Sequence, residues 1–177
     1  ALPFLSARAV QNTSALEFDS QTWAYSALNT WAESIAAHLE SRGVNHGARV
    51  AIHLSNQPAY VALIHALVRI GAIAVPLNTR LTETELKWQM EQSQCDVLIC
   101  ESEHIRHPKR ILVPEVLATP RPNPTALRLP LEPDSVQGIF FTSGTTGSPK
   151  GAMLTFANHH ASASASAERL PVQKNDR

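Results

Sequence analysis

With 177 residues, 44% of them hydrophobic, and 15 basic against 15 acidic side chains, the chain suits one globular domain with a real core. Zero formal charge excludes a broad electrostatic grip on nucleic acid or an anionic membrane surface, so any anion binding must be local. His65, Arg69 and Pro76 interrupt the longest apolar stretches well short of a membrane span. Residues 1–10 lack the charged start, apolar centre and small-residue cleavage site of a secretory signal. Cys95 and Cys100 are too few and too widely spaced for a metal site, so reduced thiols, no metal ligands from this chain and a cytoplasmic location are expected.

Taken in chain order, residues 16–23 alternate loosely and predict a short hairpin ahead of a helix. Ser26 is the candidate N-cap for a helix over 27–41, where Leu28, Trp31, Ile35 and Leu39 form one apolar stripe and Gly43 supplies the stop. Residues 49–55 read as a buried strand. Pro58 opens an apolar helix through Arg69, with Gly71 as its C-terminal stop, and residues 73–76 form the next strand. Thr82 caps the following helix, and Glu85 three residues later completes a capping box. Residues 96–100 are a third strand and 111–113 a fourth. The proline-rich stretch 114–134 has no period and reads as a surface connection. Ala161 to Ala167 alternates Ala and Ser; a small-residue helix packed closely on a sheet explains it better than a linker. Helices alternating with short apolar runs predict an α/β fold, a mostly parallel sheet flanked by helices.

One stretch carries chemistry. An apolar, β-favouring run ending in Phe140 and Phe141 feeds residues 142–147, all Thr, Ser or Gly, and Pro149-Lys150-Gly151 closes the loop. Glycines let the backbone approach an anion and aim amides at it; the hydroxyls add donors and the lysine adds charge. The alternative is a plain polar turn between two strands, but the length of the run and its lysine favour a phosphate loop. It is neither a Walker A sequence nor Gly-x-Gly-x-x-Gly, because Lys150 stands between proline and glycine, and neither Gly144 nor Gly147 has a partner two residues upstream.

The eleven residues FTSGTTGSPKG, 141–151, resemble the phosphate-binding signature of the adenylate-forming superfamily. That superfamily includes acyl- and aryl-CoA ligases, luciferases and peptide-synthetase adenylation domains. Residues 71–81, GAIAVPLNTRL, resemble a second segment of the same family. The resemblance implies that the chain is the N-terminal portion of the large, AMP-binding domain. Residues 1–113 would be βα units, 114–134 the connection, and 135–177 the loop strand, loop and following helix, with a mobile C-terminal domain outside the sequence. It implies ATP, Mg2+ and coenzyme A (as co-substrate), and a small-molecule carboxylic acid activated as an acyl-adenylate before transfer to the thiol. Nucleic acid is not an expected partner, and a homo-oligomer is a possible assembly.

Within that resemblance Lys150 takes the catalytic role, stabilising the departing pyrophosphate. Thr142, Ser143, Gly144, Thr145, Thr146 and Gly147 join it in binding the nucleotide's phosphates. Many members read Leu-Thr-His-x-Asn after the loop, whereas this chain has Phe156 in place of that histidine. Thr155-Phe-Ala-Asn-His159 resembles instead the 2-succinylbenzoate–CoA ligases of menaquinone biosynthesis, which puts His159 on the acyl-substrate side. Two alternatives stay open: another aryl- or fatty-acyl-CoA ligase or peptide-synthetase adenylation domain, and a nucleotide-binding module without chemistry. His38, His46, His53, His65, His104 and His107 read as structural or surface residues, Asn78 and Arg80 as candidates for a turn at the sheet's edge, and the three tryptophans as packing residues.

Overall fold

Asp19 and Ser20 adopt positive φ, 45° and 64°, and turn β1 (Ser14–Phe18) back on β2 (Gln21–Ala24) as an antiparallel hairpin. Two left-handed residues at the centre of a tight hairpin match the twist of its strands. The fold is a computed structural model that describes residues 12–113, 132–143 and 148–170.

Helix α1 (Tyr25–Ser41) begins directly at the end of β2, with Ala24 as its N-cap and no side-chain cap. Ser26 therefore does not fill the expected capping role. The Tyr25 amide donates to the Thr13 carbonyl of the hairpin at 3.1 Å, and the Ser26 hydroxyl donates to Asn12 at 2.9 Å. The far end follows expectation: Gly43, at φ 84°, donates to Glu40 and Val44 donates to Leu39, which closes the last carbonyls in a Schellman motif.

Strand β3 (Arg49–His53) leads to α2 (Pro58–Ile70), which has proline in its first turn and Gly71 in the left-handed cap. Strand β4 (Ile73–Pro76) leads to α3 (Glu83–Gln92), whose Thr82–Glu85 capping box forms as expected. Then come β5 (Val97–Cys100), β6 (Arg110–Leu112), β7 (Val136–Thr142), β8 (Lys150–Thr155) and α4 (Phe156–Arg169). The six-stranded sheet runs β6-β5-β3-β4-β7-β8; each neighbouring pair is parallel except β7–β8, which is antiparallel.

From β3 the chain crosses outward to β4, then back past β3 to β5. Right-handed crossovers in opposite directions put their helices on opposite faces, and the two cores reflect this. Val50, Ile52, Val97 and Ile99 pack with α1 and α2, whereas Ala51, Val75, Leu98 and Cys100 pack with Leu86 and Met90 of α3. The period of two along each strand divides the side chains, and each large aliphatic so buried contributes about 1.5–3 kcal/mol. Between α1 and α2, Glu33 pairs with Arg69 at 3.6 Å, and Asn29 bonds to both.

Helix α4 differs from expectation. Thr155 and Asn158 cap it reciprocally, but residues 160–170 are exposed and Phe156 is its one buried residue. The Ala/Ser run is helical without packing on the sheet: alanine propensity and the cap support the helix, and such small side chains offer little apolar surface to bury. Of the connection 114–134, residues 114–131 lie outside the described residues.

Candidate functional site

Parallel pairing brings the carboxyl ends of β3, β4, β5 and β7 to one edge of the sheet, where open α/β sheets hold their ligands. The hydroxyl-rich loop leaves β7 at that edge. Gly138 lets β7 approach β4: a Cβ there would stand 3.1 Å from the Ala74 carbonyl oxygen and 2.8 Å from the Phe140 ring. Beyond Gly138, the antiparallel register with β8 sets Phe140 opposite Ala152, Phe141 opposite Gly151 and Thr142 opposite Lys150. At the last pair of this register the Thr142 hydroxyl donates to the Lys150 carbonyl at 3.5 Å.

Of the expected phosphate ligands, Thr142, Ser143 and Lys150 are exposed and gathered at the hairpin's mouth. Gly144, Thr145, Thr146 and Gly147 lie outside the described residues. The flanking strands pair antiparallel, and their ends present a lysine and hydroxyls at the carboxyl edge. Such a mouth can hold an anion between a point charge on one strand and hydroxyl donors on the other.

Phe140 and Phe141 project to opposite faces of β7. On the α2 face, His159 of α4 meets Phe140 edge-on, centroids 5.9 Å apart at 66°. Tyr60, Ile64, Leu67, Phe140 and His159 line a groove of about 340 Å³ there. The His159 Nε2 is buried without a hydrogen-bond partner among the described residues. On the other face, Trp88 of α3 packs on Phe141 at 6.2 Å and 58°. His159 and Lys150 therefore belong to one hairpin-and-helix unit, with Lys150 at its mouth and His159 beneath the sheet.

Further along the edge, the Ser55 hydroxyl donates to Glu101 at 2.6 Å and the Gln57 amide donates to the same oxygen. Burial depresses the His53 pKa, against the opposing pull of Glu101. This cluster had no signal in the sequence, because its members come from separate βα connections. After β4, the Arg80 amide donates to the Asn78 side chain at 2.9 Å, which makes the expected turn next to the hairpin strand. Among the described residues no group of three His, Cys, Asp or Glu side chains converges to hold a metal ion, and no helix is long and apolar enough to cross a membrane.

The sequence profile of the family described as AMP-binding enzyme matches residues 5–177. A 2-succinylbenzoate–CoA ligase from Bacillus anthracis is 35% identical over 165 residues, which is 92% of this chain and 34% of that protein. The chain thus spans about a third of the length of the curated relatives it matches. Among solved structures, an O-succinylbenzoate coenzyme A synthetase from Bacillus subtilis in complex with ATP and magnesium ion superimposes with a TM-score of 0.87 at 31% identity, over 99% of this chain and 49% of that one. A double mutant of the Bacillus subtilis synthetase bound with its product analogue OSB-NCoA gives 0.86 at 32% identity, over 98% and 37%.

Proposed function

Because the chain belongs to the AMP-binding enzyme family, we propose that it supplies the phosphate-loop part of an ATP-dependent acid–CoA ligase. The acid's carboxylate attacks the α-phosphorus of ATP, giving an acyl-adenylate and releasing pyrophosphate. The thiol of coenzyme A then attacks the acyl carbon, forming the thioester and releasing AMP. The proposed acid is 2-succinylbenzoate, which makes this a step of menaquinone biosynthesis, in keeping with the names of the relatives.

One observation carries this reading. The two strands that flank the FTSGTTGSPKG loop pair antiparallel, and their last pair, Thr142 opposite Lys150, lies at the carboxyl edge of a parallel sheet. Lys150 neutralises charge as it grows on the leaving pyrophosphate, and the hydroxyls of Thr142 and Ser143 bind the phosphates with the loop amides. Gly144, Thr145, Thr146 and Gly147 complete the cradle in this proposal. Magnesium accompanies the nucleotide and screens its phosphate charge. The described part of this chain offers no acidic ligand set for it, so no step is assigned to the metal here.

His159 is proposed to face the acid. Its buried Nε2 and the apolar groove beside it suit an aryl group with a polar substituent. A cytoplasmic setting fits the two free thiols, Cys95 and Cys100. Self-association is also proposed, through the edge strand β8 with Met153 61% exposed and the α4 end with Leu170 75% exposed. Sedimentation independent of concentration would remove that assembly.

The test of function is ATP–pyrophosphate exchange by the full-length protein across aryl and aliphatic acids. Exchange with 2-succinylbenzoate well above the other acids is expected. Exchange with another acid would reassign the substrate, and silence with every acid would overturn the ligase reading.

A further inference from the structure

Arg80 stands on a turn that is held at both ends. Before it, Leu77 is buried and its amide donates to the Ile52 carbonyl of β3 at 2.9 Å. Within the turn, the Asn78 side chain accepts from the Arg80 amide at 2.9 Å, and the Asn78 carbonyl accepts from the Leu81 amide at 3.1 Å. After it, Leu81 packs on the core under α3, and Thr82 with Glu85 opens that helix. The backbone is thus fixed on either side of Arg80, while the arginine side chain is exposed. Among the described residues its guanidinium has no hydrogen-bond or ion-pair partner.

The turn lies beside the phosphate loop. Strands β4 and β7 are neighbours and parallel, with Ala74 opposite Gly138. Four residues further along each chain, at the carboxyl edge, come Asn78 and Thr142. Arg80 therefore brings a cation to the edge that carries Thr142, Ser143 and Lys150, from the next strand of the sheet. Glu101, a carboxylate on that edge, is already engaged by Ser55 and Gln57. The turn leads into α3, on the face opposite His159, which separates it from the side proposed for the acid. What this position suits is phosphate, whose oxygens a guanidinium fork matches in pairs.

We propose that Arg80 is a second phosphate-binding cation of the site, presented by its turn to a phosphate group of ATP or of coenzyme A. This rests on the reading of the full-length protein as an acid–CoA ligase. Because the turn is ordered before a ligand arrives, binding costs little backbone freedom there.

The test uses full-length Arg80→Gln, which removes the charge, and Arg80→Lys, which keeps the charge without the fork. Lys87→Gln is the control for surface charge on α3. KM for ATP is read in pyrophosphate exchange, and KM for coenzyme A in thioester formation from preformed acyl-adenylate. A charge-assisted hydrogen bond corresponds to about ten- to a hundred-fold in an equilibrium constant. Arg80→Gln is expected to raise one KM by that factor with kcat and melting temperature little changed, and Arg80→Lys to recover part of the loss. A rise for ATP places the phosphate on the nucleotide, and a rise for coenzyme A places it on the co-substrate; either supports the proposal. Both KM values unchanged in Arg80→Gln, with or without a fall in melting temperature, or an equal rise in Lys87→Gln, overturns it. A parent silent with every acid overturns the functional reading beneath it. An active parent matched in both KM values by Arg80→Gln overturns this proposal alone.

Discussion

Thr142 and Lys150 face each other across the base of the hairpin, joined by a long hydrogen bond from the threonine hydroxyl to the lysine carbonyl oxygen. The lysine is thereby placed by its backbone, and among the described residues its side chain has no partner, which leaves it available to an anion. Placement and chemistry are separable at this residue, so the two can be tested apart.

Gly151, next in β8, should resist any side chain. A Cβ there would stand 3.1 Å from Ile139 Cγ2, tighter than ordinary contact. Gly151→Ala is expected to lower stability by about 1–3 kcal/mol, the usual cost of overpacking. Ile139→Leu, which moves the offending branch, should make the double variant less unstable than the sum of the two singles. Simple additivity in urea unfolding would show that the contact relaxes freely.

Arg69 closes the gap between α1 and α2, paired with Glu33, with side chains 9% and 15% exposed. Arg69→Ala removes the countercharge of that half-buried carboxylate, leaving it the Asn29 amide, and should cost about 3–5 kcal/mol. Replacing both partners by apolar residues, Arg69→Met with Glu33→Leu, should restore most of the loss. A single variant that unfolds at the parent's midpoint would mean the pair is solvated.

Stability should fall on acidification through His53 and His65. Burial lowers both pKa values from 6.5, and the positive charge of Arg69 adds to the shift at His65. The unfolded chain then binds more protons between the folded pKa and 6.5, so this stability is full above 6.5 and is lost as pH falls through the folded value. His65→Gln should flatten the fall in melting temperature between about pH 7.5 and pH 5. An unchanged slope would show that His65 titrates as it does in the unfolded chain.

Much of this molecule was legible where one residue type settles a boundary. Pro58 and Gly71 bracket α2, and Thr82 with Glu85 opens α3, because ring closure, positive φ and a reciprocal cap are local effects. The start of α1 was misplaced onto Ser26 because the hairpin's backbone, not a side chain, receives the first amide. The run Ala161 to Ala167 gave its helicity but not its exposure, since residues of near-equal size show no stripe. At the site, composition alone marked the loop and Lys150. The Ser55–Glu101 bond, whose ends are 46 residues apart, and the Trp88–Phe141 contact depend on strand order, which no local pattern encodes.

The central claim, that Lys150 serves the departing pyrophosphate, is tested most directly by Lys150→Ala in the full-length protein, with the two half-reactions measured separately. Pyrophosphate exchange should fall by about 10²–10³, the loss of one preorganised charge in the transition state. Thioester formation from preformed acyl-adenylate should change far less, and the melting temperature hardly at all, because the hairpin pairs through the backbone at this position. Equal losses in both half-reactions, or a large fall in melting temperature, would contradict the account and make Lys150 a structural residue.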